Sequence, residues 1–376
     1  MKERVPKISP EKYSKGLDNM VILHFASIEN SKTSGVSIAV LQHVAAQGQY
    51  AETALINTNG IQISDVQTQL PFCKPFDVRL LPKPFDRPDL AIFQECYRPV
   101  YLSIARNLRK NAIPYIIVPH GELGREAQKK KLLKKLVANI LLFNRFTEHS
   151  LAIQCLSKRE YEETAFGKNK FIGTNGVEIP KSKKDDFSST GVKIIYIGRL
   201  DAYHKGLDLL LEAVRLSKPI LIKYKCKIEL YGPDYAGRFD HVQSLIQEND
   251  VKDLVSLNHE ITGDDKARKL LEADIFIQTS RFEGMPLGIL EAMSYGLPCL
   301  VTEGTAVGEI VSEADAGWVA KTNAQDIADR LVDAVSERSK WAEYGKNGRK
   351  AVREKYSWDK VAADTVRYYK SILLSQ

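Results

Sequence analysis

The stretch EGMPLGILEAM, from Glu283 to Met293, holds two carboxylates, Glu283 and Glu291, with seven residues between them. Pro286 suits the first turn of a helix, where a missing N–H is tolerated. Gly296 stands where a left-handed cap would end that helix. Glu283 then precedes the helix and Glu291 lies inside it, about 8 Å along the axis from Pro286. Free amides and the positive dipole end between the two acids suit a diphosphate. Carboxylates accept paired hydroxyls, so a sugar on one side and a ribose on the other would complete a nucleotide sugar. A plainer arrangement also fits, with Glu291 solvated and Glu283 a partner of the dipole. Taken alone, these eleven residues favour the plainer arrangement slightly.

Other candidates follow strand-like runs. IGRLDAYHKGLD puts Arg199 after one run and Lys205 before a helical one, six positions on. An arginine fork and a lysine point charge in one strand-to-helix loop can clamp a phosphate and neutralise charge that grows on a leaving group. His120 follows YIIVP and can donate to a hydroxyl or a phosphate oxygen, with His24 as a rival. Gly35, in SKTSGVS, allows close backbone approach of a ligand. A lone histidine or loop glycine is more often structural.

These residues need strands to position them. VILHFAS, LAIFQE, YIIVPHG and LAIQCLS in the first half read as buried strands, as do VKIIYIGRL, KIELYG, DIFIQTS and LPCLVTE in the second. Helical runs such as LDLLLEAVRLS (207–217) and DDKARKLLEA (264–273) alternate with them, which predicts parallel α/β sheets covered on both faces. The polar stretch Pro180 to Gly191 reads as a linker. The expectation is an α/β chain of two Rossmann-like doubly wound domains, 1–182 and 183–376, facing across a cleft where strand-end ligands bind. The last helix, about 357–376, is expected to pack back across the junction.

Composition narrows the class. With 376 residues, 44% hydrophobic and 27% charged, the chain is of soluble globular type. It shows no apolar leader and no apolar run long enough for a bilayer, which predicts a cytoplasmic protein. Five scattered cysteines argue against a disulfide framework, and no metal-ligand spacing occurs, so no metal is expected. Neither GxGxxG after a strand nor GxxxxGK[ST] is present, which counts against a nicotinamide or flavin enzyme and a phosphate loop. The net charge is +7, yet Arg98 to Arg145 alone carries eleven basic residues against Glu122 and Glu126. Such an excess suits an anionic partner. Stacking platforms and recognition motifs for nucleic acid are missing, so no nucleic-acid partner is expected. Residues 125–145 read as a basic amphipathic helix that can lie on an anionic membrane surface. An ordinary helix with its lysines in water fits the same residues.

GRLDAYHKGLD, YGPD and SRFEGMPLGILEAMSYGLPCLVTEGTAVGEIV resemble the GT-B-fold retaining glycosyltransferases of family 4, also called glycosyl transferases group 1. SGVSIAVLQHVA, IVPHGEL, TNGVEIP and the closing SWDKVAADTVRYY extend the resemblance to nearly the whole chain from about Val21. It implies metal-independent transfer of a sugar from a nucleotide donor with retained configuration, and no cofactor. Arg199 and Lys205 would bind the diphosphate, Glu291 the ribose, and Glu283 the hydroxyls of the transferred sugar. His120 would sit at the reacting centre, with His120 and Glu283 as the catalytic pair. Gly35, Gly284, Met285, Leu287 and Gly288 would complete the donor site. Where the family often has Gly-x-Gly after the first acid, this chain has Gly284-Met285-Pro286. Pro286 offers no amide, so the phosphate would rely on Leu287 and Gly288. In the first half, Ser34 replaces one glycine of the usual pair.

The expected reaction moves a hexose or N-acetylhexosamine, from UDP by family frequency, to a lipid-linked saccharide of a cell-surface polysaccharide, peripherally at the inner face of the membrane. The alternatives are a GDP-mannose-dependent mannosyltransferase and a non-catalytic partner of another transferase.

Overall fold

The computed structural model describes residues 19–30, 34–64, 66–124, 128, 139–187, 190–234, 237–283, 285–305 and 307–375. Its first sheet is built from β1 (Val21–Ala26), β2 (Glu52–Asn57), β3 (Gln69–Leu70), β4 (Leu90–Gln94), β5 (Tyr115–Val118), β6 (Ala152–Cys155) and β7 (Lys170–Ile172), in the order β3-β2-β1-β4-β5-β6-β7. The second contains β8 (Val192–Ile197), β9 (Cys226–Tyr231), β10 (Val255–Asn258), β11 (Ile275–Gln278), β12 (Cys299–Thr302) and β13 (Gly317–Ala320), in the order β10-β9-β8-β11-β12-β13. The registered pairs are parallel in both sheets. Strands β1, β4, β5 and β6 are buried along their whole length. That burial on both faces is why they read as unbroken apolar runs. Each sheet reverses its strand order once, between β1 and β4 and between β8 and β11, and a crevice opens beyond the carboxyl ends there.

The eight expected strands are all present. The five unread ones are β2 and the four edge strands β3, β7, β10 and β13. Edge strands are short and partly exposed, so they leave little apolar signal. The helix expected over 207–217 runs on through Pro219 to Lys223. Beyond the proline, Leu221 is fully buried in the second core, and that burial offsets much of the lost backbone hydrogen bond. The helix expected over 264–273 is Gly263–Glu272.

The described residues of the polar stretch after Pro180 have no regular structure but are fastened to the second domain. Lys184 pairs with the buried Asp274 at 3.3 Å. Arg338 donates to the Phe187 carbonyl at 2.8 Å, and Arg349 to that of Pro180 at 2.7 Å. The closing helix, Trp358–Leu374, returns to the first sheet. There Val366 and Tyr369 are buried with Ile22, Ile92, Ile116 and Ala152. Its entry is fixed where Val177 N–H donates to the Tyr356 carbonyl at 2.8 Å. A side chain at Gly176 would meet the Trp358 ring at 2.6 Å, so the crossing needs a glycine.

Most of the basic segment 125–145 lies outside the described residues. Its described end forms a π-turn, Asn139–Phe143, and a short helix, Asn144–Glu148, with Phe143 and Phe146 in the first core. Among the described residues no helix is long and apolar enough to cross a membrane. Of the cysteines, Cys73 is exposed and the other four are buried thiols.

Candidate functional site

A cleft of about 1760 Å³ opens between the carboxyl ends of the two sheets. Ligand sites commonly hold about 300–1,000 Å³, so there is room for two substrates side by side. Gly35, His120, Arg199, Lys205, Glu283, Met285, Leu287, Gly288 and Glu291 all line it. Gly284 lies outside the described residues. Gly35 and Glu291, far apart in sequence, thus share one wall system.

The helix Leu287–Ser294 begins one residue later than the sequence suggests, with Pro286 as its flanking residue (φ −74°, ψ 104°) and no side-chain cap. Its first amides are therefore left for a ligand in the cleft. Gly296, at φ 83°, ends it in the expected left-handed turn. Two loops converge on its start. In one, Gly206 at φ 64° opens the helix Leu207–Lys223 and sets Lys205 just before it. A Cβ on Gly206 would lie 2.0 Å from the Thr279 carbonyl, so only glycine lets this loop close onto the end of β11. In the other, Glu283 pairs as a one-residue bridge with Thr305.

Lys205 and Glu283 form an ion pair, their side chains only 11% and 12% exposed. Ser280 donates to the same carboxylate oxygen at 3.3 Å. Arg281 ties the two loops by paired bonds of 2.7 and 2.8 Å to Asp208 and by a bond to the Tyr203 carbonyl. Arg199 is exposed to the cleft, and its guanidinium has no ion-pair partner among the described residues. Glu291 pairs with Lys266, from the helix Gly263–Glu272, both about a quarter exposed. Lys266 was missed by sequence reasoning although its helix was expected, because a lysine on a charged helix reads as solvated and nothing in its spacing points to Glu291. Arg281 was missed because a lone arginine beside the acid block carries no spacing signal.

From the first domain, His120 sits in a left-handed turn (φ 49°) followed by Gly121 (φ 84°). Glu160 holds that turn, accepting from Gly121 N–H at 2.6 Å and from Leu156 N–H at 2.6 Å. Burial, and then the nearby His43, push the His120 imidazole down to about 3. It is therefore neutral near pH 7 and acts as a hydrogen-bonding group rather than a charge. His24, the rival, is fully buried within β1 and does not reach the cleft. Gly35 opens the helix Gly35–Gln47, and a Cβ there would meet nothing within 4 Å. Its surroundings leave the space a ligand needs but do not demand a glycine. Ser34 is the N-cap, accepting from Ser37 N–H at 3.3 Å. Among the described residues no group of three or more His, Cys, Asp or Glu is arranged to hold a metal ion.

Residues 178–351 match the family described as glycosyl transferases group 1. An uncharacterized glycosyltransferase of Methanocaldococcus jannaschii is 32% identical over 179 residues, 47% of this chain and 44% of that protein. An MMP alpha-(1->4)-mannosyltransferase of Mycolicibacterium hassiacum is 28% identical over 48% of this chain and 43% of its own length. An O-antigen chain mannosyltransferase B of Escherichia coli is 29% identical over 47% and 45%. The matched stretch thus spans about half the length of these relatives. Among solved structures, a sucrose-phosphate synthase of Thermosynechococcus elongatus superposes with a TM-score of 0.74 at 16% identity, over 95% of this chain and all of that one. Anabaena HepE, in complex with UDP and glucose, gives 0.71 at 15% identity, over 94% and 100%. At such identities the likeness establishes the two-domain GT-B fold.

Proposed function

For a chain that belongs to glycosyl transferases group 1 and has the GT-B fold, we propose transfer of a hexose or N-acetylhexosamine from a nucleotide sugar to a lipid-linked saccharide, with retained configuration and without a metal. The carrying observation is the set of two opposed ion pairs, Lys205 with Glu283 and Lys266 with Glu291, flanking the uncapped start of the helix Leu287–Ser294.

Each pair satisfies itself within the cleft wall. A diphosphate arriving at the helix start brings more negative charge than either carboxylate. Lys205 and Arg199 then turn to the phosphate oxygens, and Glu283 is released to accept hydroxyls of the transferred sugar. The same exchange frees Glu291 for the ribose. As the bond between sugar and phosphate breaks, charge grows on the leaving oxygen beside Lys205, Arg199 and the helix amides. Those groups stabilise the transition state more than the ground state. The leaving oxygen takes the proton of the attacking hydroxyl on the same face, which retains configuration. His120, neutral and fixed by its turn, orients the sugar. Closure of the two domains would exclude water.

UDP is the proposed nucleotide, supported by HepE, whose structure contains UDP and glucose. The mannosyltransferases of Mycolicibacterium hassiacum and Escherichia coli favour GDP-mannose as a second reading. The O-antigen relative supports a polysaccharide acceptor at the membrane surface. Incubation with UDP-glucose, UDP-N-acetylglucosamine or GDP-mannose should release nucleoside diphosphate from one of them, with the sugar product in the donor's anomeric form. An inverted first product would remove the retaining mechanism.

A further inference from the structure

One turn of helix in the first domain holds groups from both sides of the cleft. The helix Lys158–Glu163 is capped by Ser157, whose hydroxyl accepts from Glu160 N–H at 3.2 Å. The buried Glu160 carboxylate fastens the turn of His120 by accepting from Gly121 N–H. Arg159, the residue before it, reaches the second domain. Its Nη1 donates to the Gly304 carbonyl at 3.1 Å, and its Nε donates to Glu163 Oε1 at 2.8 Å. The same Gly304 carbonyl accepts from Glu283 N–H at 3.1 Å. A carbonyl oxygen has two lone pairs, and here each domain supplies one donor. His120 and Glu283 are thereby tied, from opposite domains, to consecutive residues of one helix.

The receiving turn is packed closely enough to pass that tie on. A Cβ at Gly304 would lie 2.4 Å from the carbonyls of Ser280 and of Arg281, so glycine lets this turn lie against the loop that leads to Glu283. Thr302 Oγ1 donates to the Ser280 carbonyl at 2.7 Å. Moving the Gly304 carbonyl therefore moves the Glu283 loop. Met285 adds an apolar contact, packing against the buried cluster of Ile289 and Leu290 and against that of Val118 and Leu156 in the first domain. Apolar contact prescribes no direction, whereas a planar guanidinium shared between two acceptors does. Lys158 also crosses the junction, to Glu309 at 3.2 Å, but with 61% and 64% exposure water screens that pair.

We infer that Arg159 is a positioning residue: by holding the Gly304 carbonyl it fixes the spacing of Glu283 from His120 across the cleft. Its catalytic consequence rests on the proposed function, in which His120 orients the sugar whose hydroxyls Glu283 accepts. Both residues must then stand at one separation while the sugar moves. Arg159 has no part in holding the nucleotide, whose proposed contacts all belong to the second domain. The spacing itself is a property of the free chain and does not depend on that reading.

The test reads the spacing first, without any sugar nucleotide. Of the cysteines only Cys73 is exposed. A spin label there and a second at Arg215→Cys, half-exposed on the helix Leu207–Lys223, report the distance between the domains by electron spin resonance. Wild type and Lys158→Ala should give the same narrow distribution, Arg159→Ala a broader and longer one, and Arg159→Lys one in between. In the unlabelled chain Arg159→Ala should lower kcat for transfer about 100-fold. The KM for donor and for acceptor and the melting temperature should stay near wild type, and Arg159→Lys should recover part of the rate. Identical distances in wild type and Arg159→Ala would overturn the inference, and so would a matching change in Lys158→Ala. A raised acceptor KM at unchanged kcat would make Arg159 an acceptor contact and overturn it as well. If no form turns over any nucleotide sugar, the glycosyl-transfer reading fails while the distances still decide the tie.

Discussion

Lys205 and Glu283, 78 residues apart in sequence, meet as an ion pair where the ends of β8 and β11 face the helix Leu287–Ser294. Both side chains are largely buried in the cleft wall, 11% and 12% exposed. That relation separates catalysis from stability in an unusual way. Lys205→Ala and Glu283→Ala each strand the opposite charge, so both should lower the melting temperature. Either should also cut transfer about 100-fold or more, roughly 3 kcal/mol of transition-state stabilisation. The double variant Lys205→Met with Glu283→Gln should regain most of the stability and none of the activity. Wild-type turnover in either single variant would remove that residue from the site.

Glu291 and Lys266 are more open, and the ribose contact proposed for Glu291 is present in ground and transition states alike. Glu291→Ala should therefore raise the KM for the nucleotide sugar about tenfold, near 1.4 kcal/mol, with kcat little changed. Lys266→Ala should do less, since its role is to pair with the acid rather than to bind the ribose. Steady-state kinetics with varied donor decide this. A fall in kcat at unchanged KM for Glu291→Ala would move that residue from binding to chemistry.

Two buried histidines give a pH dependence with a definite sign. Burial holds His24 down to about 3 and His43 to about 4. Both folded-state values lie below the unfolded value of about 6.5. The unfolded chain therefore binds these protons first, and stability is lost as pH falls from about 6.5 toward the folded values. Between pH 7.5 and 5.5 the two together should lower stability by about 3 kcal/mol, and His120, also held down to about 3, adds to that loss. Urea midpoints across that range measure it. A slope unaltered by His43→Gln, whose ring bonds Asn175 at 2.9 Å, would contradict the assignment.

Gly206→Ala tests the loop that carries Lys205. The positive φ and the Thr279 carbonyl 2.0 Å from the added carbon act together, so a loss of roughly 3 kcal/mol is expected. Activity should fall further than stability, because the loop must move away from the helix start. Gly35→Ala, which meets nothing within 4 Å, should leave the melting temperature unchanged.

The sequence displayed the site far better than the frame around it. Glu283, Arg199, Lys205 and His120 stand just after central strands or before a helix, Glu291 lies inside the helix that follows Glu283, and central strands are the ones with unbroken apolar runs. The edge strands were invisible, and the helix Gly263–Glu272 was read without any sign that its Lys266 meets Glu291. The helix read over 207–217 runs on past Pro219 because burial of Leu221 beyond it offsets the missing N–H. For the segment around Lys129 to Lys135 the expected basic helix lies outside the described residues, and its contact with an anionic surface stands as a proposal.

The most direct measurement is the thermal melt of the purified chain with UDP-, GDP- and ADP-sugars in turn. A ligand present at about 100 times its Kd stabilises the folded state by about 2.7 kcal/mol. One nucleotide class should raise the melting temperature, most strongly a UDP-sugar, and the rise should vanish in Arg199→Ala combined with Lys205→Ala. No rise with any of the three, or an equal rise in that double variant, would contradict a nucleotide-sugar site in this cleft.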